Sequence, residues 1–336
     1  MRIPSREVSG VNVGVIGYGS MNLTWKPTQT PDEQAMQCLI DSIEQGSNMI
    51  NAGEFYGVPP HQSANLELMS RFFAKHPEYA DQVFLSVKGG IDLSKFAPDS
   101  SEQGLRKSIT NINNLLTSQG GKKKMDLFEC ARVDKTIPIE ETMATLIKLR
   151  DEGHFKYIGL SEVSAQTIRR AAAIAPIAAV EVEYSLAALD IESNGVLDAC
   201  KELNIPIVAY SPIARGLLSG SITSEEHIPE GDHRRHYDKF VGDNLKQNLK
   251  LVESVKAFAQ QKKATPTQIA IAWLLHQSPL IIPIPGSTRP EGVAEALGAT
   301  QINLSDAELE QIRGILDENP VKGKRYAEAH EAMLEG

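Results

Sequence analysis

Met49-Ile-Asn51-Ala-Gly-Glu-Phe-Tyr56-Gly57 and, one segment later, Val83-Phe-Leu-Ser-Val-Lys88 frame the stretch on which the fold turns. Between them Ser63–Lys75 carries helical spacing and stops before His76-Pro77, because the residue before a proline disfavours helix. Short apolar run, amphipathic helix, short apolar run is the pattern of two parallel strands joined by a crossover helix. A phenol (Tyr56) and an amine (Lys88) then fall at or just past the ends of successive strands. A free phenol titrates near ~10, and a neighbouring ammonium favours its ionised form. Such a phenol is a usable general acid near neutral pH. Taken singly, the two residues also read as a packed tyrosine and a solvated lysine.

The same alternation extends in both directions. Strands are predicted at Val13–Ile16, Met49–Asn51, Val83–Lys88, Met125–Cys130, Tyr157–Leu160, Ala179–Glu183, Pro206–Tyr210 and Ile281–Ile284. Helices are predicted at Pro31–Gln45, Ser63–Lys75, Ser100–Leu116, Pro138–Glu152, Ser164–Ala175, Glu192–Leu203, Pro266–Gln277 and Leu304–Glu318. Ser100 with Gln103, and Ser305 with Glu308, have capping-box spacing. Asp32, Glu33, Glu140 and Glu141 suit helix starts, and Gly153 suits a helix end. Eight βα units with no break in composition predict an α/β fold, a parallel eight-stranded (β/α)8 TIM barrel. One domain over residues 1–336, with a C-terminal helical tail, is expected. The alternative, a doubly wound open sheet, normally carries G-x-G-x-x-G at its first turn. Gly17-Tyr-Gly19-Ser-Met-Asn22 lacks the third glycine and leads into a polar, proline-containing loop. Residues 213–245, with Asp232-His-Arg-Arg-His-Tyr237, read as a long mobile surface loop.

The bulk numbers narrow the function classes. Over 336 residues, 41% apolar content supplies a sizeable core, and a net charge of −9 argues against nucleic acid or an anionic membrane as partner. Cys38, Cys130 and Cys200 are scattered and match no metal spacing, which suits a reducing compartment. The N-terminus lacks the apolar stretch of a signal peptide, and Ile269–Pro285 is too interrupted to span a bilayer. A cytoplasmic protein with no membrane association and no obligatory protein partner is expected. His233 and His236 lie among arginines, a poor place for a cation, so no metal is expected. Lys122-Lys-Lys124 is a solvated turn, and Glu140-Glu141 is helix-start charge rather than a glycosidase pair.

A barrel keeps its active site at the C-terminal ends of its strands. There this chain places Asn51 and Tyr56, Lys88, Ala131-Arg132, Ser161-Glu162, Glu181–Tyr184, Tyr210-Ser211-Pro212 and Gly286-Ser287-Thr288-Arg289. A lysine finishing an otherwise apolar strand is poorly explained as ordinary loop polarity. The segment Gly286–Arg289 follows the eighth strand, where barrels frequently bind phosphate; a plain helix cap with a surface arginine is the other reading.

Along nearly its whole length the chain resembles the aldo-keto reductase superfamily. The matching segments are Gly17-Tyr-Gly19-Ser20-Met21, Asn51 with Tyr56-Gly57, Lys88-Gly89, Asp126-Leu-Phe with Val133-Asp134, Pro138–Met143, Ile158–Ser161, Val182–Leu186, Tyr210-Ser211-Pro212 with Arg215–Gly220, and Pro285–Arg289. Gly53–Gly57 and Glu129–Asp134 are most similar to the fungal pyridoxal reductase branch. The resemblance implies NADPH across the barrel mouth and a small-molecule carbonyl substrate. It makes Tyr56 the proton donor, tuned by Lys88 with Asn51 beside it. Gly19, Ser20, Met21, Ser211 and Pro212 would line the cofactor, and Tyr210 would stack on the nicotinamide. Ser161 and Glu181 would lie near its carboxamide. Arg215 would meet the pyrophosphate, Ser287, Thr288 and Arg289 the 2′-phosphate, and Glu295 the adenine.

The chain also departs from that pattern. The family usually has aspartate at Asn51, histidine at Ala131, asparagine at Glu162 and Ala296, and glutamine at Glu181. Asn51 can hydrogen-bond Lys88 but cannot neutralise it, so a less compensated Lys88 is expected to push the Tyr56 phenol pKa down. Ala131 removes a donor to the substrate oxygen and opens room for a larger substrate. Arg132 either replaces that donor or points to solvent. Trp25 either walls an aromatic substrate or packs at the rim. Pyridoxal reduction is the leading expectation. A broad aldehyde or ketone reductase and a cofactor-binding regulatory protein with little turnover are its rivals.

Overall fold

The computed structural model describes residues 2–326, 331, 333, 334 and 336. Eight parallel strands form one sheet in sequential order: β1 (Tyr18–Gly19), β2 (Met49–Gly53), β3 (Phe84–Gly89), β4 (Leu127–Cys130), β5 (Tyr157–Ser161), β6 (Ala179–Glu183), β7 (Ile207–Tyr210) and β8 (Ile281–Pro283). The Gly17 N–H donates to Pro283 O at 2.9 Å and the Gly19 N–H to Pro285 O at 3.1 Å, joining the first strand to the last. The fold is the expected (β/α)8 barrel. Helices α1 (Asp32–Glu44), α2 (Ala64–Lys75), α3 (Glu102–Thr117), α4 (Ile139–Asp151), α5 (Ala165–Ala172), α6 (Val196–Glu202), α7 (Gly242–Gln261), α8 (Pro266–Gln277), α9 (Pro290–Gly298) and α10 (Asp306–Glu318) complete it. No helix among the described residues is long and apolar enough to cross a membrane.

Side chains alternate across each strand, and the two sets differ in kind. Ile50, Ala52, Leu85, Val87, Phe128, Ile158, Leu160, Val180 and Val182 face the helices and join the main core. Met49, Phe84, Leu127, Ala179, Val208 and Ile282 point inward and fill the lower barrel. Two residues further along the same inward rows come Asn51, Ser86, Glu129, Glu181 and Tyr210, and then Lys88 and Glu183. The inward face thus turns from apolar to polar along the strands, and that polar layer is where the site lies.

Several elements differ from the sequence expectation. Val13–Ile16 is not the first barrel strand. Val11–Gly14 instead pairs antiparallel with Ser5–Val8, and Val8 and Val13 pack into the lower barrel layer. Ser9 and Gly10 turn that hairpin with φ of 48° and 82°, the two-residue geometry that matches strand twist. The cap of α3 is Ser101, which accepts from Gly104 N, not Ser100. The expected Glu192–Leu203 helix is a short 3-10 turn at Asp190–Glu192 followed by α6. Helix α7 was not anticipated. The stretch 213–245 lies largely at the surface as a run of 3-10 turns leading into α7, with Asp232, Lys239 and Phe240 buried. The Ser305–Glu308 capping box forms as expected, and α10 ends at Glu318. In the expected C-terminal tail, residues 327–330, 332 and 335 lie outside the described residues.

Candidate active site

Tyr56 sits just past β2 and is only 6% exposed. Its ring lies over Gly53, where an added Cβ would stand 2.8 Å from three ring atoms. Its carbonyl accepts from Thr24 Oγ1 at 2.6 Å. Asn65 on α2 ties this corner together, accepting from Gly53 N at 3.2 Å and donating to Ser20 O and to Thr24 Oγ1. Trp25 (ring centroids 5.8 Å apart) and Phe55 (5.4 Å) flank the Tyr56 ring. Ala131, Ile91 and Met21 complete this aromatic wall.

Beneath the phenol lies a buried charged layer drawn from four strands. Lys88 at the end of β3 is paired with Glu181 of β6 through its Nζ and Glu181 Oε1. The other Glu181 oxygen accepts from Asn51 Nδ2 at 2.7 Å. Glu129 of β4 is in register with Lys88 and is 1% exposed. Glycine at position 159 leaves it room, since a Cβ there would meet Glu129 Oε2 at 3.3 Å. Among the described residues, the buried Glu129 Oε1 and Ser161 Oγ have no hydrogen-bond partner.

This geometry corrects two expectations. Asn51 binds Glu181 rather than Lys88, and Lys88 is not left uncompensated, because Glu181 reaches it from across the barrel. Burial alone would lower the Lys88 ammonium pKa, but Glu181, Tyr56 and Glu129 raise it above its ordinary value. The Tyr56 phenol is raised, not lowered. Burial pushes it up, Lys88 opposes that, and Glu181 and Glu129 add to the rise. Burial also raises Glu129 well above the carboxylate range, with Glu181 adding and Lys88 opposing. Burial thus favours the neutral form of Glu129, and the carboxylate that pairs with the ammonium is Glu181.

A second cluster covers the neighbouring mouth. Tyr210 donates to Glu162 Oε1 at 2.7 Å, and Lys88 Nζ stands 4.9 Å from the Tyr210 ring centre. Arg325 binds Glu162 at 2.7 Å and Glu183 at 3.1 Å, and Arg215 lies 3.4 Å from Glu183. Burial alone would raise Glu183, but Arg215 and Arg325 hold it below its ordinary value. Arg215, at φ 53°, lies over the rings of both Tyr237 (4.6 Å) and Tyr326 (4.7 Å), which meet each other edge to face. Arg132 does not point to solvent: its guanidinium lies 5.4 Å from the Tyr326 ring centre and donates to Ala131 O.

The remaining predicted residues lie around the rim. Gly19 ends β1, Ser20 Oγ donates to Asn51 O at 2.7 Å, and Met21 opens a single helical turn. Ser211 follows β7 at φ 50° and leads through Pro212 into the turn that carries Arg215. Ser287 Oγ accepts from Arg289 N at 3.1 Å, Gln34 donates to Thr288 O, and the exposed Arg289 caps α9, which carries Glu295. Sequence reasoning missed Glu129, Arg325 and Tyr326 as members of the site, and placed Glu183 at the barrel mouth, within Glu181–Tyr184, without a role. Glu129 was detectable as a lone carboxyl inside an apolar strand. Nothing local pairs Arg325 with a strand more than a hundred residues away.

The Aldo/keto reductase family model matches residues 15–317. A Schizosaccharomyces pombe protein named "Probable pyridoxal reductase 2" is 44% identical, with 97% of this chain and 98% of that protein covered. A second protein of that organism, an aldo-keto reductase whose name carries NADP(+), is 37% identical over 97% of this chain and 95% of its own. A glycerol dehydrogenase structure from Gluconobacter oxydans superposes with a TM-score of 0.82 at 21% identity, covering 96% of this chain and 98% of that one, a likeness of fold.

Proposed function

The chain belongs to the aldo/keto reductase family and is an oxidoreductase, and within that family we propose that it reduces pyridoxal to pyridoxine with NADPH. The observation that carries this reading is the buried Tyr56 phenol above the Lys88–Glu181 pair, walled by Trp25 and Phe55. The 44% identical relative supplies the substrate part.

Bound NADPH supplies hydride to the carbonyl carbon. The Tyr56 Oη–H gives its proton to the carbonyl oxygen, and Lys88 stabilises the phenolate that remains. Burial holds the phenol protonated through the neutral range, so the acid is fully loaded before reaction. Solvent returns the proton after the alcohol leaves. Trp25 and Phe55, packed edge to face beside the phenol, form an apolar wall suited to an aromatic ring, and Arg132 lies next to Ala131. The residues present fit the cofactor: Ser161 Oγ, buried and unpaired, is free to bind a carboxamide. Arg289 and the Ser287 turn suit a 2′-phosphate at the start of α9. Tyr210, Ser211, Pro212, Arg215, Gly19, Ser20, Met21 and Glu295 line the path between these ends. The substrate is a free small molecule, and a reducing cytoplasmic setting suits three buried free cysteines.

The test is NADPH consumption by purified protein with pyridoxal beside benzaldehyde, a short aliphatic aldehyde and a ketone. Preferred turnover of pyridoxal, with pyridoxine as product, supports the proposal. Equal kcat/KM across the panel replaces it with a broad carbonyl reductase. Cofactor binding without turnover replaces it with a regulatory protein.

A further inference from the structure

We infer that the counter-charge of the proton-donating pair has changed strands in this chain: Glu181 on β6 is the positioning residue that holds Lys88 against Tyr56, and Asn51 on β2 holds Glu181. The inference rests on Tyr56 as proton donor. In the family this chain resembles, an acid stands at position 51 and an amide at position 181. Here the amide is on β2 and the acid on β6. The two have exchanged places across the barrel, and here they meet in the 2.7 Å bond from Asn51 Nδ2 to Glu181 Oε2.

A buried ammonium needs a partner, because taking it out of water unpaired costs several kcal/mol. The groups that face Lys88 are Tyr56 beyond β2, Glu129 on β4, Glu181 on β6 and the Tyr210 ring on β7. Of these, Glu181 alone makes an ion pair with it. Glu129 lies against Glu181, has one oxygen without a hydrogen-bond partner among the described residues, and makes no ion pair with Lys88; burial raises its carboxyl above its ordinary value. Both Glu181 oxygens are engaged, one by Lys88 and one by Asn51. Glu181 therefore serves the proton donor rather than a carboxamide, and Ser161 Oγ is left for that task.

The exchange predicts a specific pattern of rescue. Full-length wild type, Glu181→Gln, Asn51→Asp and the double variant are compared by steady-state reduction of pyridoxal with NADPH across pH. They are also compared by thermal unfolding without cofactor. Glu181→Gln leaves Lys88 short of its counter-ion, so kcat falls about 30-fold or more with KM within about 3-fold. Its basic limb moves to lower pH, because Glu181 raises both Tyr56 and Lys88. Asn51→Asp alone sets a second carboxylate against Glu181 and also loses activity. The double variant returns the acid to β2, recovers about 10-fold or more of the loss, and moves the basic limb back up. A double variant no better than Glu181→Gln, or an unmoved basic limb in Glu181→Gln, overturns the inference. If wild type reduces no carbonyl at all, the reductase reading fails instead. The melting temperatures then decide the exchange: non-additive recovery in the double variant supports it, and additive losses overturn it.

Discussion

At Tyr56 the decisive neighbours are a glycine and a lysine. Gly53 has no side chain because the phenol ring occupies that space, so Gly53→Ala should push the ring off its position. Turnover should fall about 10-fold or more while the melting temperature moves little, a split that kcat and a thermal scan resolve. Tyr56→Phe removes the proton itself and should lower turnover by about 10²–10⁴-fold, with NADPH binding intact by fluorescence titration. Retention of half the turnover would exclude Tyr56 as the acid. Arg289→Ala should weaken NADPH about 10-fold or more and leave NADH within about 2-fold, and equal losses would remove the 2′-phosphate from this residue. Tyr56 and Lys88 were legible in sequence because each ends an apolar run. Their electrostatics were not. The expected downward shift rested on Asn51 carrying no charge; burial of the phenol outweighs Lys88, and the barrel brings Glu181 to that lysine from ninety-three positions away.

The elements that sequence periodicity located are those whose inward and outward faces both keep their character. β2 to β7 alternate cleanly, and α1, α2 and α4 show a single apolar face, so they were found within a residue or two. Helix α7 was missed for a physical reason. Its buried stripe of Leu245, Asn248, Val252, Val255 and Ala259 has an amide in the middle. Asn248 is 1% exposed and donates to Lys239 O at 3.0 Å and Lys322 O at 2.9 Å, while its Oδ1 accepts from Lys322 N at 2.7 Å. It is a clamp on the segment that leads to Arg325. Asn248→Leu keeps roughly the volume and strands three main-chain groups, at a cost of about 3 kcal/mol or more. A lowered urea midpoint with an unchanged slope should show this. The substrate KM should rise as well, because residues 322–326 carry Arg325 and Tyr326 to the mouth. The hairpin was misread for a different reason. Val11–Gly14 is apolar enough for a barrel strand, and only the two-residue turn at Ser9-Gly10 marks it as half of an antiparallel pair.

Across the whole barrel, the lower layer is sealed by apolar residues and the upper layer is charged but balanced. Lys88 is matched by Glu181, and Glu162 and Glu183 are matched by Arg325 and Arg215. Glu129 is the acid left over, and burial, with Glu181 adding, pushes its carboxyl well above its ordinary value. That has a consequence for stability. An unfolded glutamate titrates near ~4.3. Below that pH both states hold the proton. Above it the unfolded chain releases the proton and the folded barrel keeps it, so stability from this group is lost as pH rises toward the folded pKa. Glu129→Gln removes the titration while keeping a planar group of the same size, with an amide able to donate to Glu181. The melting temperature of Glu129→Gln minus that of wild type should therefore be near zero at acid pH and grow with pH. At neutral pH the gain should reach roughly 2–4 °C. Groups away from this cluster titrate alike in both proteins, so the difference isolates Glu129 together with the Lys88, Tyr56 and Glu181 groups it touches. A difference that stays flat across the range would mean that Glu129 is ionised in the folded barrel, and that two negative charges face Lys88.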